Sequence, residues 1–312
     1  MKYAVQSVRQ LLQTARKKLS RQVLHLRMRG ASEADILTAE RKLRGVEQMD
    51  KLNRADVVIV SFGKSGRTWL RVMISHLFRV MYGLPENAII GFDNFHNLNH
   101  AIPRIFFTHD NYIKDITGDT ETKRPFYGKR VVLLARDPRD VAVSQFFQWK
   151  FRMKPSKVAI NNYPPRDSDT SIFDFVTGDN GGGIQAIADY MNLWARESSK
   201  VEAFHLLRYE DLRAAPHEEL RRLLDFMQVE ASEDQVAQAV EYSSYENMKK
   251  MEGRQQFRLA GGRMMPRDKD NPDSYKVRRA KVGGYRDYFS DEEVRLIDRQ
   301  LAAILDPYFN YT

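Results

Sequence analysis

The stretch "VVIVSFGKSGRTWLRV", residues 57–72, begins as an unbroken run of β-branched residues, breaks at a glycine and resumes with apolar residues at helical spacing. A strand ending at Phe62, a turn through Gly63 to Gly66 and a helix starting near Thr68 gather backbone N–H groups and a helix N-terminus around one point. Such a point binds anions. Lys64 adds a full positive charge there, and the Ser65 and Thr68 hydroxyls can donate to oxyanion oxygens. An ATPase loop needs glycine five positions before Gly63, where Val58 stands, so the geometry suits phosphate while the ATPase spelling fails.

Three more short apolar runs have the length and continuity of buried parallel strands: "RIFFTH" (104–109), "RVVLLARD" (130–137) and "AFHLLRYE" (203–210). Residues 67–82, 138–152, 184–198 and 217–228 carry apolar residues at helical spacing, and Ser232 with Gln235 and Ser290 with Glu293 spell capping boxes that open two further helices. The expected fold class is therefore α/β, a central parallel sheet flanked by helices on both faces with a P-loop-like turn after the first strand. Residues 154–171 and 177–183 read as loops, and 253–285 is a long irregular stretch of the kind that is usually functional.

With 312 residues, 42% of them hydrophobic, the chain can bury one large core or two small ones. The absence of cysteine excludes disulfides, thiolate metal sites and cysteine nucleophiles. Lys and Arg exceed Asp and Glu by 50 to 41, a net charge of +9, which favours an anionic partner: nucleotide, nucleic acid, sulfated or phosphorylated substrate, or membrane surface. No run approaches the roughly 18 apolar residues of a membrane span, and the N-terminus lacks the apolar core of a secretory signal, so the expected location is cytoplasmic. Residues 1–30 stand apart: Val5, Val8, Leu12, Ala15, Leu19, Val23 and Leu26 make one apolar helical face among basic residues, with no acid before Glu33. Such a helix suits peripheral contact with an anionic membrane, or packs on its own domain or on a second subunit. The chain divides into a basic amphipathic helical segment, 1–50, and one α/β domain, 51–312; no motif specifies an oligomer.

The stretch "LLARDPRDVAVSQFFQ" (133–148) places Arg136 at a strand end and Ser144 eight residues later, in the second turn of a helix begun by Pro138. Parallel strands bring both to the rim that holds the 63–68 loop, where open α/β sheets bind ligands. Two anion sites on one rim point to a nucleotide with two separated phosphates. Here the chain resembles the soluble sulfotransferases that depend on 3′-phosphoadenosine 5′-phosphosulfate (PAPS).

The resemblance extends from about residue 56 to about residue 290 and implies roles for particular residues. In "KSGRTW", Lys64, Ser65, Gly66, Thr68 and Trp69 match the family's phosphosulfate loop, with Arg67 in place of a small hydroxyl residue. Arg136 and Ser144 match the pair that grips the 3′-phosphate, and His109 of "FFTHDN" matches the histidine base. "RYEDL" implies Tyr209 at the adenine, and "YSSYENMKK" implies Ser243 and Tyr245 as a hydroxyl and an aromatic. In "VRRAKVGGYRDYF", Arg278 and Arg279 would close over the 3′-phosphate. Ala280 replaces the family's usual glycine, for which a negative φ is expected, and Gly284 and Tyr285 replace Asp and Trp. The implied catalytic residues are Lys64, His109 and Ser144, and the implied product of PAPS is adenosine 3′,5′-bisphosphate (PAP).

Sulfuryl transfer to a hydroxyl or amine is an in-line displacement in which charge grows on the leaving phosphate oxygen. Lys64 is placed to stabilise that oxygen, and His109, with an ordinary pKa near neutrality, to take the acceptor proton; neither step calls for a metal. Duller readings stand beside these. His109 can equally end an apolar strand as a rim residue; Arg136 can pair with Asp137 or Asp140, Ser144 can bond back to its own helix, and Trp69 and Tyr245 can be core aromatics. His96 and His100, four apart, have no third ligand at zinc-site spacing and read as acceptor-loop or surface residues.

A P-loop kinase or nucleoside triphosphatase using Lys64 on a terminal phosphate is the alternative enzyme, and needs a magnesium-binding carboxylate such as Asp110 or Asp137. A nucleic-acid partner is not expected, because beyond residue 31 the charges are mixed in sign. The acceptor, a hydroxylated small molecule, lipid or carbohydrate, should meet an apolar wall from Phe92, Phe95, Phe146, Phe147, Trp149 and Phe151 and charge from Arg152, Lys154, Arg258 and Arg263.

Overall fold

The computed structural model describes residues 2–257 and 264–311, so Arg258 and Arg263 lie outside the described residues. Two N-terminal helices, α1 (Lys2–Arg27) and α2 (Glu33–Arg54), precede the strand β1 (Val57–Val60) and the helix α3 (Arg67–Tyr82). Next come β2 (Ile105–Thr108), α4 (Lys114–Thr117), β3 (Arg130–Ala135), α5 (Pro138–Phe151), α6 (Pro155–Ile160), α7 (Ile172–Thr177) and α8 (Ile184–Glu197). The chain closes with β4 (Ala203–Arg208), α9 (Tyr209–Ala214), α10 (Pro216–Met227), α11 (Glu233–Tyr242), α12 (Tyr245–Gly253) and α13 (Asp291–Ile304).

The four strands form one parallel sheet in the order β2-β1-β3-β4. Their apolar runs are continuous because both faces are buried, and successive side chains alternate between two cores. Val58, Val60, Val131 and Leu133 face Trp149, Ile187 and Ile297 of α5, α8 and α13. Val57, Ile59, Val132 and Leu134 face Leu70, Ile74 and Leu223 of α3 and α10. Both capping boxes form, at Ser232 with Gln235 and at Ser290 with Glu293. Register pairs Val60 with Thr108 and with Leu133, so the 61–66 turn, His109 and Arg136 leave the sheet side by side.

Several elements differ from the expectation. The fourth strand stops at Arg208, and Tyr209 and Glu210 open α9 instead, with Glu210 accepting the Asp137 N–H and the Tyr311 hydroxyl. The 154–171 loop contains α6, begun by Pro155. The 264–285 stretch is irregular apart from short turns, and it is pinned by the buried carboxylate of Glu252, which accepts the N–H groups of Lys276 and Val277 at 2.8 Å each. α2 runs through position 50 without a break and packs on α4, α6 and β2. α1 lies on α2, where Lys17 and Arg21 meet Glu47, and Leu12, Leu19 and Leu26 on its outer side are 66%, 60% and 56% exposed. Among the described residues no helix is long and apolar enough to cross a membrane.

Candidate functional site

The strand ends and the loops after them enclose a cleft of about 1380 Å³ lined by residues from every part of the chain. The 63–66 turn is built on two left-handed residues, Lys64 at φ 76° and Gly66 at φ 97°. A Cβ on Gly66 would stand 2.6 Å from the Tyr209 ring, so glycine is required for contact as well as for conformation. The turn carbonyl of Gly63 is held by Gln145 Nε2 at 2.9 Å. Burial, and after it the charges of Arg152, Lys276 and Arg278, push the Lys64 ammonium down to about 7, with Glu252 opposing. Four cations thus converge where the turn meets the irregular stretch.

Arg136 follows β3 and reaches the same turn, donating to the Lys64 carbonyl at 3.4 Å, to Asp140 at 3.2 Å and to the Lys281 carbonyl at 3.2 Å. Its guanidinium lies 4.3 Å from the Tyr209 ring centroid, and its Nε is buried without a hydrogen-bond acceptor, as are Nε and Nη1 of Arg152, the latter 3.9 Å from Glu252. Asp140, not Asp137, is the pairing acid; Asp137 is taken by Arg139. Asp140 also accepts the N–H groups of Gly283 and Tyr285, which fastens the irregular stretch to α5. Ser144 lines the cleft from the second turn of α5.

Trp69 and Tyr209 stand edge to face at 5.7 Å and form one wall, with the Trp69 indole N–H donating to the Ser243 carbonyl at 2.8 Å. The Ser243 hydroxyl donates to the Ala239 carbonyl at 2.9 Å, and the Tyr245 hydroxyl donates to the Arg278 carbonyl at 2.7 Å, so both residues brace the wall and the strap beside it. Thr68 and Gly66 line the cleft, whereas Ser65 is buried behind it at 2% exposure. Arg278 stacks 3.5 Å above Phe147, and Arg279 turns outward to Asp287 at 2.9 Å.

Ala280 departs from the expectation of a negative φ: it sits at +49°, in the left-handed region. The strap turns sharply between Asp140-bound Gly283 and Tyr245-bound Arg278, and the residue between them takes the conformation that glycine adopts freely. Left-handed alanine costs about 1–2 kcal/mol, part of which the greater chain entropy of glycine offsets. Ala280→Gly should therefore raise the melting temperature by about 1–3 °C with activity retained, measured by thermal unfolding beside a rate assay.

Beyond β2 the cleft continues past His109. The His109 Nδ1 lies 2.7 Å from the Ser61 carbonyl, which can only accept, so Nδ1 carries the hydrogen and Nε2 the lone pair. Arg67 Nη2 meets that lone pair at 2.6 Å. Burial, then the Arg67 charge, depress the His109 pKa to about 3, against the bond to Ser61. The expected aromatic wall is not the one observed. Phe95 and Trp149 are core residues, and Phe92, Phe146, Phe147 and Phe151 also lie outside the cleft lining: Phe92 packs on Phe106, Phe146 and Trp149 on Phe175 of α7, and Phe151 on Phe147. Phe62, Phe106, Phe107, Tyr112, Tyr163 and Tyr190 line the cleft instead, with Arg152 and Lys154 as expected. His96 is buried, bonded to the Ile102 carbonyl and to His100 rather than facing an acceptor. Among the described residues no group of three or more His, Asp and Glu side chains could hold a metal ion.

The family model described as "Sulfotransferase domain" matches residues 54–305, most of the chain and every strand around the cleft. The chain belongs to the sulfotransferase family. Cytosolic sulfotransferase 17 of Arabidopsis thaliana is 25% identical over 292 residues, covering 82% of this sulfotransferase and 77% of the relative. Flavonol 3-sulfotransferase of Flaveria bidentis is 22% identical over 278 residues, covering 81% and 82%. A mouse sulfotransferase solved with PAP superposes with a TM-score of 0.52 at 18% identity over 83% of this chain and 89% of that one. A retinol dehydratase solved with retinol and PAP gives 0.53 at 17% identity over 83% and 85%. These two likenesses show the sulfotransferase fold. The enzyme is a transferase of sulfuryl groups, and the triphosphatase alternative gives way to it.

Proposed function

We propose that this sulfotransferase binds PAPS between the 63–69 turn, the Trp69–Tyr209 wall and the 276–281 strap, and passes the sulfuryl group to a hydroxyl held beside His109. The observation that carries the reading is the convergence of Lys64 and Arg136 on one rim, with buried guanidinium donors of Arg136 and Arg152 that lack protein acceptors. A polyanion fits that donor set, since a buried donor without an acceptor is costly. PAPS supplies the transferable sulfuryl group, and PAP is its by-product. Lys64 would hold the phosphosulfate and neutralise the leaving oxygen, with the Ser65, Gly66, Arg67 and Thr68 backbone at the start of α3 beside it. Arg136 and Ser144, closed over by Arg278, Arg279 and the Ala280 backbone, would read the 3′-phosphate. Trp69 and Tyr209, braced by Ser243 and Tyr245, would flank the adenine.

The acceptor is a hydroxylated small molecule in this reading, supported by relatives and structural neighbours whose names carry flavonol and retinol. The cytosolic designation of a relative supports a cytoplasmic site of action. Contact of α1 with a membrane surface has support from the exposed row of Leu12, Leu19 and Leu26; the basic helix then serves to bring the enzyme to lipid-borne acceptors.

Calorimetric titration with PAP, ATP plus magnesium and 5′-AMP at one ionic strength tests the donor site. Selective tight binding of PAP is expected, and a preference for ATP would overturn the reading. Arg136→Ala should weaken PAP by about 1.5–3 kcal/mol, the scale of a charge-assisted contact, while leaving 5′-AMP little changed. Equal losses for both nucleotides would remove Arg136 from recognition of the 3′-phosphate.

A further inference from the structure

We infer that the acceptor carries an oxyanion in addition to its reacting hydroxyl, and that Lys157 of α6, with Arg44 of α2 and Arg21 of α1, binds it. The inference rests on the sulfotransferase reading and names the substrate class of the same cleft.

The far part of the cleft is roofed by elements that precede the catalytic turn, and its centre is Tyr112. Arg41 and Arg44 each place a guanidinium 5.6 Å from the Tyr112 ring centroid, and the Lys157 ammonium lies 5.2 Å from it. Lys157 donates to the Tyr112 hydroxyl oxygen at 3.1 Å, and that hydroxyl donates to Asn161 Oδ1 at 2.9 Å. Arg41 is fully engaged, with Asp115 at 2.8 Å and the Ile160 carbonyl at 2.6 Å. The others are not. Arg44 is 8% exposed and pairs with Glu40, yet its Nε is buried without an acceptor, and so is the Nε of Arg21, which shares Glu47 with Lys17. Lys157 meets the neutral Tyr112 hydroxyl rather than a carboxylate.

Burial, then the charges of Arg44 and Arg21, lower the Lys157 pKa to about 8, while Glu40 and Glu47 oppose the shift. Such a cluster is unfavourable unless something brings negative charge to it. Lys157, bonded to Tyr112 three residues beyond His109, lines the same cleft as His109. An acceptor with a carboxylate, sulfate or phosphate at one end and a hydroxyl at the other can satisfy both places at once. A neutral analogue would leave Lys157 without a counter-charge and the buried Nε donors of Arg44 and Arg21 without acceptors, which is how the site would reject it.

The test uses the full chain saturated with PAP, titrated calorimetrically with 3-(4-hydroxyphenyl)propanoate, its methyl ester, and 2-(4-hydroxyphenyl)ethyl sulfate. At least one anion should bind about tenfold or more tightly than the ester, and the ratio of the two anions distinguishes a carboxylate from a sulfate acceptor. Lys157→Gln should shrink that preference to below about threefold, with PAP affinity unchanged and a melting temperature no lower than that of the wild type. Equal binding of ester and anions, no binding of any of them, or a preference that survives Lys157→Gln overturns the inference. Failure of PAP itself to bind would bring down the donor reading as well; normal PAP binding without an anion preference overturns this inference alone.

Discussion

Lys64→Met should lower kcat by about 10²–10³-fold, the scale of removing one donor from a developing oxyanion, and should at the same time raise the melting temperature of the nucleotide-free enzyme at neutral pH. Both effects have one source. The ammonium is held among Arg152, Lys276 and Arg278 and pushed down to about 7 by burial and by those charges. An unfolded chain keeps its lysine protonated up to about 10.4. Between about 7 and that value the unfolded state binds more protons than the folded state, so the stability of the fold rises with pH across this window and is penalised below it. Methionine removes the penalty and, with it, the charge that the leaving oxygen needs. PAP binding should accordingly be accompanied by proton uptake near pH 7–8 in the wild type, because a polyanion restores the charged form, and calorimetry in buffers of different ionisation enthalpy reads that uptake. A Lys64→Met enzyme with unchanged kcat, or wild-type binding without proton uptake, would take Lys64 out of this role.

The part of the site that the sequence displays is the part written in local pattern. Residues 57–72 combine a strand, a turn and a helix N-terminus, each recognisable from periodicity and glycine placement, and β1, the 63–66 turn and α3 form there. Arg136 is legible for the same reason, as a charge at the end of an apolar run. What hides is whatever depends on which side of a helix faces the cleft. Phe146, Phe147, Trp149 and Phe151 have a helical stripe whether they cover a substrate or a sheet, and only the packing of α5 on α7 and the sheet decides for the core. Arg21, Arg44 and Lys157 come from a terminal helix, its neighbour and an expected loop, separated by up to 136 positions along the chain and united only by the fold. The Arg67–His109 contact is hidden differently. The substitution is visible in "KSGRTW", but its consequence needs the parallel pairing of β1 with β2 that brings position 109 beside position 67.

His109→Asn should reduce kcat by about 10²–10⁴-fold, and the wild-type pH profile should lack the acid limb that a histidine base ordinarily gives. In its proposed role as base, His109 is prepared before any acceptor arrives: the Ser61 carbonyl fixes the hydrogen on Nδ1, and burial with the Arg67 charge holds the ring neutral down to about pH 3. With PAPS saturating, Lys64 is charged throughout, and kcat/KM for the acceptor then reports His109 in the PAPS-bound enzyme. That quantity should stay level from about pH 7 to about pH 5, where an unperturbed imidazole near 6.5 would already be mostly protonated. Arg67→Ser removes a positive charge from the neighbourhood of Nε2, so the histidine pKa rises and an acid limb should move up toward neutrality. The same variant frees Nε2 for the acceptor hydroxyl, which in the wild type must take the place of the Arg67 guanidinium at 2.6 Å. Arg67→Ser should therefore lower the acceptor KM at pH 8 while costing activity below pH 6. A wild-type limb already at pH 6–7, or a His109→Asn enzyme within about threefold of wild type, would leave the proton to solvent and reduce His109 to a rim residue.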